Sequence, residues 1–186
     1  CDNIEEVVLS EGITSIGKLA FANCNKLKEI TLPKSLTWIE EYSFAMCRGL
    51  EKINMHDDVL DISAGAFSHC DSLTRVVIPA SVCILSPTAF AGCKNLESIE
   101  VEEDNWMFHS DGNCVIQTNN KTLIIGCKNS VIPSDGSVTV IGSGSFAGVE
   151  ALEKINIPEG VEVYDIYFNI RHYPFEAASA LKPEYK

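Results

Sequence analysis

The stretch LKEITLPKSLTWIEEYSFAMC, residues 27–47, decides the fold, because the chain keeps rewriting it. Its skeleton is Leu27-x-x-Ile30-x-Leu32-Pro33, then Leu36-x-x-Ile39, then Ser43-Phe44-x-x-Cys47, with Leu50 opening the next copy. The successors read Leu50/Ile53/Met55, Val59/Ile62, Ala66-Phe67, Cys70, and then Leu73/Val76/Ile78-Pro79, Val82, Ala89-Phe90, Cys93. Three interlocked ladders share one spacing of 23 residues: Phe21, Phe44, Phe67 and Phe90; Cys1, Cys24, Cys47, Cys70 and Cys93; Leu27, Leu50, Leu73 and Leu96. A fixed period of this length is the mark of a repeat architecture.

The apolar positions explain the period. Ile30 and Leu32 alternate around Thr31, which predicts a short strand with one face on a core. Pro33 has no N–H to give to a ladder and ends that strand. Leu36 and Ile39 predict a second short extended segment, and the Ser/Ala-Phe pair with its Cys predicts a helical or 3-10 corner that returns the chain to its start. One such coil cannot bury its own apolar edge, so coils must stack at about 4.8 Å, the strand spacing, and the product is a solenoid. Phe44, Phe67 and Phe90 are expected to stack inside it.

Regular repeats are read over 1–101, and the pattern then breaks. From Phe90 to Phe146 is 56 residues, one period of 23 plus an insertion of 33. The inserted stretch, about 102–131, holds two β-rich runs, Val115–Thr118 and Lys121–Ile125, about Asn119-Asn120, and is expected to form a β-hairpin laid on the side of the solenoid. Repeats resume over 132–163, with Ile132-Pro133, Val138, Ile141, Ser145-Phe146 and then Leu152, Ile155 and Ile157-Pro158. From Tyr164 an aromatic tail replaces the pattern, and 164–186 is expected to cap the last coil. At the other end Cys1 already sits on the cysteine ladder, which predicts that the natural chain continues upstream, so the lack of a signal peptide carries no information about export.

Charge and hydropathy exclude whole classes of function. Lys and Arg total 14 against 26 Asp and Glu, a net charge of −12 spread along the chain. Such a surface repels phosphate backbones and anionic membranes, so nucleic acid is a poor partner. No apolar run approaches the roughly 18 residues of a membrane-spanning helix.

The unit L-x-x-I-x-[LI]-P-x-x-[VL]-x-x-I-x-x-x-[AS]-F-x-x-C resembles the BspA-type leucine-rich repeat of mainly bacterial cell-surface proteins. The resemblance covers roughly residues 1–163, including Asp111–Ile116 and Lys121–Ile124, which look like the hairpin found in many members. It departs from commoner leucine-rich repeats in having Ser35, Asp58 and Ser81 where those carry an Asn ladder. The resemblance implies a leucine-rich-repeat solenoid, an extracellular or surface location, and adhesion or host contact. It transfers no catalytic or ligand-binding residue.

Candidate chemistry is sparse. The resumed repeat places Val149 at the cysteine ladder position, so that position needs a small apolar filler rather than a thiolate, and five ladder cysteines cannot pair fully. No C-x-x-C occurs to support zinc. With Asn119-Asn120 as the turn, Cys114 faces Ile125 and the thiols of Cys114 and Cys127 share a face one pair apart, either as packed thiols or as a diagonal disulfide. His69-Cys70 is not a nucleophile pair, since neighbours in an extended or turning segment point apart. His56-Asp57-Asp58 and Glu100-x-Glu102-Glu103-Asp104 lack a calcium-loop spacing. Ile141–Ser145 is glycine-rich but lies where other units turn. Asn120-Lys121-Thr122 matches a glycosylation sequon on an exposed turn. No cofactor, metal or enzymatic activity is expected.

Stacked repeats offer long side-chain rows suited to extended partners, and the resemblance implies a protein or glycan ligand at a cell surface; the rival readings are a passive spacer and a carbohydrate-binding accessory module. Two outward rows are the candidates. The first-strand row runs Val8, Thr31, Asn54, Val77, Glu100 and Asn156 with Lys52 and Arg75 beside it, and by analogy with other leucine-rich repeats Lys52, Asn54, Arg75, Val77 and Glu100 are expected to face the partner. The second-strand row, through Thr37-Trp38, Leu60-Asp61 and Cys83-Ile84, makes Trp38, Leu60 and Ile84 a secondary patch, provided that these side chains point outward.

Overall fold

The computed structural model describes residues 3–149 and 154–164, in which thirteen short strands follow the expected coils. In chain order they are β1 (Ser15–Ile16), β2 (Glu29–Thr31), β3 (Trp38–Ile39), β4 (Lys52–Asn54), β5 (Asp61–Ile62), β6 (Arg75–Ile78) and β7 (Ile84–Leu85). Then come β8 (Ser98–Val101), β9 (Phe108–Asp111), β10 (Cys114–Gln117), β11 (Thr122–Gly126), β12 (Val140–Ile141) and β13 (Glu162–Val163). Second strands stack as a parallel sheet β1-β3-β5-β7, each residue opposite its equivalent one period away, as in Ile16↔Ile39↔Ile62↔Leu85. First strands stack as two parallel pairs, β2-β4 and β6-β8.

The corners are turns, with no helix among the described residues. Each regular corner carries two consecutive i→i+3 bonds, as in Ala45 N–H to Tyr42 O and Cys47 N–H to Phe44 O. In this corner Tyr42 and Met46 have positive φ, as do Leu19 and Asn23 one coil earlier. A left-handed residue every fourth position breaks a right-handed helix before it can start, which is why the corner is not helical.

Phe21, Phe44, Phe67 and Phe90 form the expected column, with centroids 5.2–5.5 Å apart and Phe44, Phe67 and Phe90 almost parallel. Around it the Leu and Ile ladders are buried, Leu27, Ile30, Leu36, Ile39, Leu50, Ile62 and Leu73 completely.

The hairpin is not on the side of the solenoid. β9, β10 and β11 form an antiparallel meander whose last strand pairs in parallel with β12, which pairs with β13. The meander stands in the stack as a wall with both faces covered. Val115, Ile124, Ile125 and Cys127 join the core of the earlier coils, while Cys114, Ile116 and Leu123 join a second core with Val138, Ile141 and Phe146. Consecutive apolar residues leave no solvent face, so these strands are stable only between two layers.

A bulge also corrects the hairpin register. Gln117 faces Thr122 and Ile116 faces Leu123, as a turn at Asn119-Asn120 requires, but the register then slips and Cys114 faces Gly126 instead of Ile125. The slip sends Cys114 and Cys127 to opposite cores, and both are free thiols. Of the expected C-terminal cap, only Tyr164 falls within the described residues.

The cysteine ladder does more than fill space. The thiols of Cys47, Cys70 and Cys93 donate to the carbonyls of Phe21, Phe44 and Phe67 in the preceding coil, at 3.0, 3.4 and 3.1 Å. Burial pushes the Cys47 thiol up to about 12, so its thiolate is scarce at neutral pH. Cys70→Val is expected to lower stability by less than about 1 kcal/mol, since S–H···O bonds are weak, as read by urea denaturation. In the native protein a thiol reagent should modify the half-exposed Cys83 ahead of the other described cysteines, which are buried.

Candidate partner-binding faces

The first-strand row has the expected residues pointing outward, and the structure shows what they already hold. Lys52 Nζ lies 3.2 Å from Glu29 Oε1, and the Asn54 amide donates to the same carboxylate and, at 3.1 Å, to Thr31 Oγ1. Arg75 forks onto Glu100, with Nη2 2.8 Å from Oε2 and Nε 3.3 Å from Oε1, while Ser98 donates to Glu100 Oε1. Each pair bridges neighbouring coils, since Glu29 faces Lys52 and Val77 faces Glu100 across the strands. The hydrogen bonds from Asn54 and Lys52 hold the Glu29 carboxyl below the usual carboxylate range, and those from Arg75 and Ser98 do the same for Glu100. Both cations of this row are therefore neutralised within the row.

The second-strand row is different in kind. β3, β5 and β7 each bury one residue, Ile39, Ile62 and Leu85, so pleating turns Trp38, Asp61 and Ile84 outward in one line. Trp38 is 48% exposed, Leu60 38% and Ile84 57%, with Cys83 half-exposed between them. The ambiguity left by the sequence is resolved: these side chains are outside. Thr14 and Thr37 supply the polar end, Thr37 Oγ1 donating to Thr14 O at 3.0 Å.

The other singled-out groups have structural duties. His56 stands where the coils on either side have Pro33 and Pro79 and hydrogen-bonds the Pro33 carbonyl through Nε2, while the Asp58 N–H donates to its Nδ1. The Cys70 thiol points to Phe44 O inside the core, whereas the His69 ring packs over Gly92, so the two do not meet. Glu102 accepts the Ala80 N–H, and Asn120 holds its own turn by accepting from the Thr122 N–H. Among the described residues no group of three His, Cys, Asp or Glu is placed to hold a metal ion, and no helix is long and apolar enough to cross a membrane.

Parallel strands repeating at 23 residues, phenylalanine columns and outward side-chain rows define a leucine-rich-repeat solenoid. The chain belongs to the BspA-type leucine-rich-repeat family, whose model matches six copies over residues 1–112 and 116–179. Among solved structures it is similar to the pneumococcal vaccine antigen PcpA, at 26% identity and a TM-score of 0.74 over 86% of this chain and 41% of that one. It is also similar to a leucine-rich repeat protein from Eubacterium ventriosum, at 26% identity and a TM-score of 0.66 over 88% of this chain and 50% of that one. A leucine-rich cell surface protein from Faecalibacterium prausnitzii shares the fold at 22% identity and a TM-score of 0.66, over 81% of this chain and 47% of that one. The chain thus spans half or less of the length of these proteins. A search of curated proteins finds no match.

Proposed function

We propose that this chain is an adhesion-type, macromolecule-binding module of a secreted or surface-attached protein, and that it binds through the Trp38 face. The observation that carries the reading is the cluster of exposed apolar side chains on the second-strand face of an acidic solenoid, Trp38 and Ile84 in one line with Leu60 beside it. Apolar side chains gathered on one face gain free energy when a partner covers them, and monomers tend to avoid such gatherings. The surface location is supported by the family and by the cell-surface protein of the same fold. In the row of Lys52, Asn54, Arg75, Val77 and Glu100 the polar side chains serve here as an inter-coil clamp, both cations being already paired, with Glu29 and Glu100.

The test immobilises cell-surface extracts and measures adhesion of beads carrying the chain. Trp38→Ser is expected to reduce adhesion about tenfold, the loss of one well-buried aromatic contact, while Lys52→Gln with Arg75→Gln leaves it within about twofold, in keeping with the small worth of rim charges. Adhesion surviving Trp38→Ser with the fold intact would sink the assignment and favour a passive spacer.

A further inference from the structure

The apolar line is longer than its three strands. Asn105 lies one period after Val82, and its buried side chain donates to the carbonyls of Pro79 and Val82 at 2.9 Å each, locking it beneath that turn. Its Oδ1 accepts the N–H groups of Met107 and Phe108, and Phe108, one period after Leu85, is buried as Leu85 is. The repeat therefore stays in phase past residue 101, and Trp106 takes the place that Cys83 holds one coil earlier. Trp106 is 72% exposed. Both tryptophans of the chain thus end one stripe, with Leu60 and Ile84 between them. Trp38 and Trp106 belong to coils three apart, which is about 14 Å at the spacing of stacked strands.

The stripe has an acidic border. The turn that precedes each of its members carries, coil by coil, Lys34, then Asp57 and Asp58, then Ser81, then Glu103 and Asp104, and Asp61 lies in the stripe itself between Trp38 and Ile84. Asp57, Asp58, Glu103 and Asp104 are exposed. The middle of the stripe is aliphatic, which suits apolar side chains better than sugar rings, and the border prefers positive charge.

Building on the Trp38-face reading, we propose that the stripe from Trp38 to Trp106 docks a protein segment that carries apolar and basic side chains together. An extended segment presents same-face side chains about 6.6 Å apart, so about three of them span the stripe, apolar ones against its apolar members and a basic one opposite Asp61, with basic ones beyond its ends reaching Asp57, Glu103 and Asp104.

Fluorescence tests this directly, because both tryptophans lie on the stripe. The probes are a short synthetic peptide repeating Leu-Leu-Lys-Lys, which carries both residue types on each face when extended, its leucine–glutamate counterpart, and cellohexaose. The lysine peptide is expected to shift the emission to the blue and saturate, weakening with added salt, and the glutamate peptide is expected to leave it unchanged. Ile84→Ser should weaken the lysine peptide about tenfold, the effect of one aliphatic side chain left unburied. Asp57→Asn with Glu103→Gln and Asp104→Asn should weaken it similarly and flatten its salt dependence, with thermal unfolding confirming that the variants fold. Equal binding of both peptides, or lysine-peptide binding indifferent to Ile84→Ser, overturns the proposal. Cellohexaose binding abolished by Trp38→Ser, with no lysine-peptide binding, overturns the partner chemistry but keeps the face. No response to any probe, together with extract adhesion indifferent to Trp38→Ser, overturns both.

Discussion

Phe67→Ala is expected to lower the stability of the chain by about 3–5 kcal/mol, the range for removing a buried phenylalanine ring. Phe67 is fully buried and stacks on two rings at once, Phe44 at 5.2 Å and Phe90 at 5.5 Å. Its truncation opens a hole between two coils instead of at one end. Solenoid stability is approximately a sum of coil terms and neighbour interfaces, so damage in a central coil weakens two interfaces together. Phe21 at the first corner has a stacking partner on one side, Phe44, and is partly exposed, so Phe21→Ala should have a smaller effect. Thermal unfolding of the two variants and of an exposed control, Lys52→Ala, provides the measurement. A melting temperature for Phe67→Ala equal to the control's would overturn the role of the column.

Gly126→Val is expected to act at the joint between the two cores. A Cβ at Gly126 would lie 2.0 Å from Cε1 of Phe146, closer than real Cβ atoms come, so the ring or the strand must move. Gly126 also pairs with Cys114 and donates its N–H to Ser145 O at 2.7 Å, so the joint is held by backbone on both sides. Overpacking of this kind costs about 1–3 kcal/mol, and here the effect should be local. The coils around Val138, Ile141 and Phe146 should lose amide protection while those around Phe44 and Phe67 keep theirs. Hydrogen exchange read by mass spectrometry separates the two halves, and uniform loss of protection would contradict a joint between two cores.

The two variants mark where sequence reasoning was sufficient and where it was not. Everything that repeats was legible, because a period of 23 residues forces equivalent side chains into register once coils stack. The strands, the phenylalanine column, the inward Ile39 and Ile62 and the cysteine ladder follow from that alone. The placement of the hairpin was misread as the side of the solenoid, although the unbroken apolar runs Cys114-Val115-Ile116 and Leu123-Ile124-Ile125 call for cover on both faces. The bulge was not legible, since one extra residue in β11 leaves no compositional trace, yet it sends Cys114 and Cys127 into different cores.

The candidate faces divide in the same way. The period assigned residues to the two rows, because stacked coils set equivalent positions side by side. It did not determine which member of Leu60-Asp61 or Cys83-Ile84 points outward, which depends on the pleat of strands two residues long. Contact between neighbouring coils ties Lys52 and Arg75 to Glu29 and Glu100, since those partners lie 23 and 25 residues away and meet only when the coils stack. It also carried the apolar line on to Trp106, through the bonds of the buried Asn105 side chain to Pro79 and Val82. Periodicity fixes where a side chain sits along the solenoid, but whether its charge is free or its ring covered depends on contacts between coils.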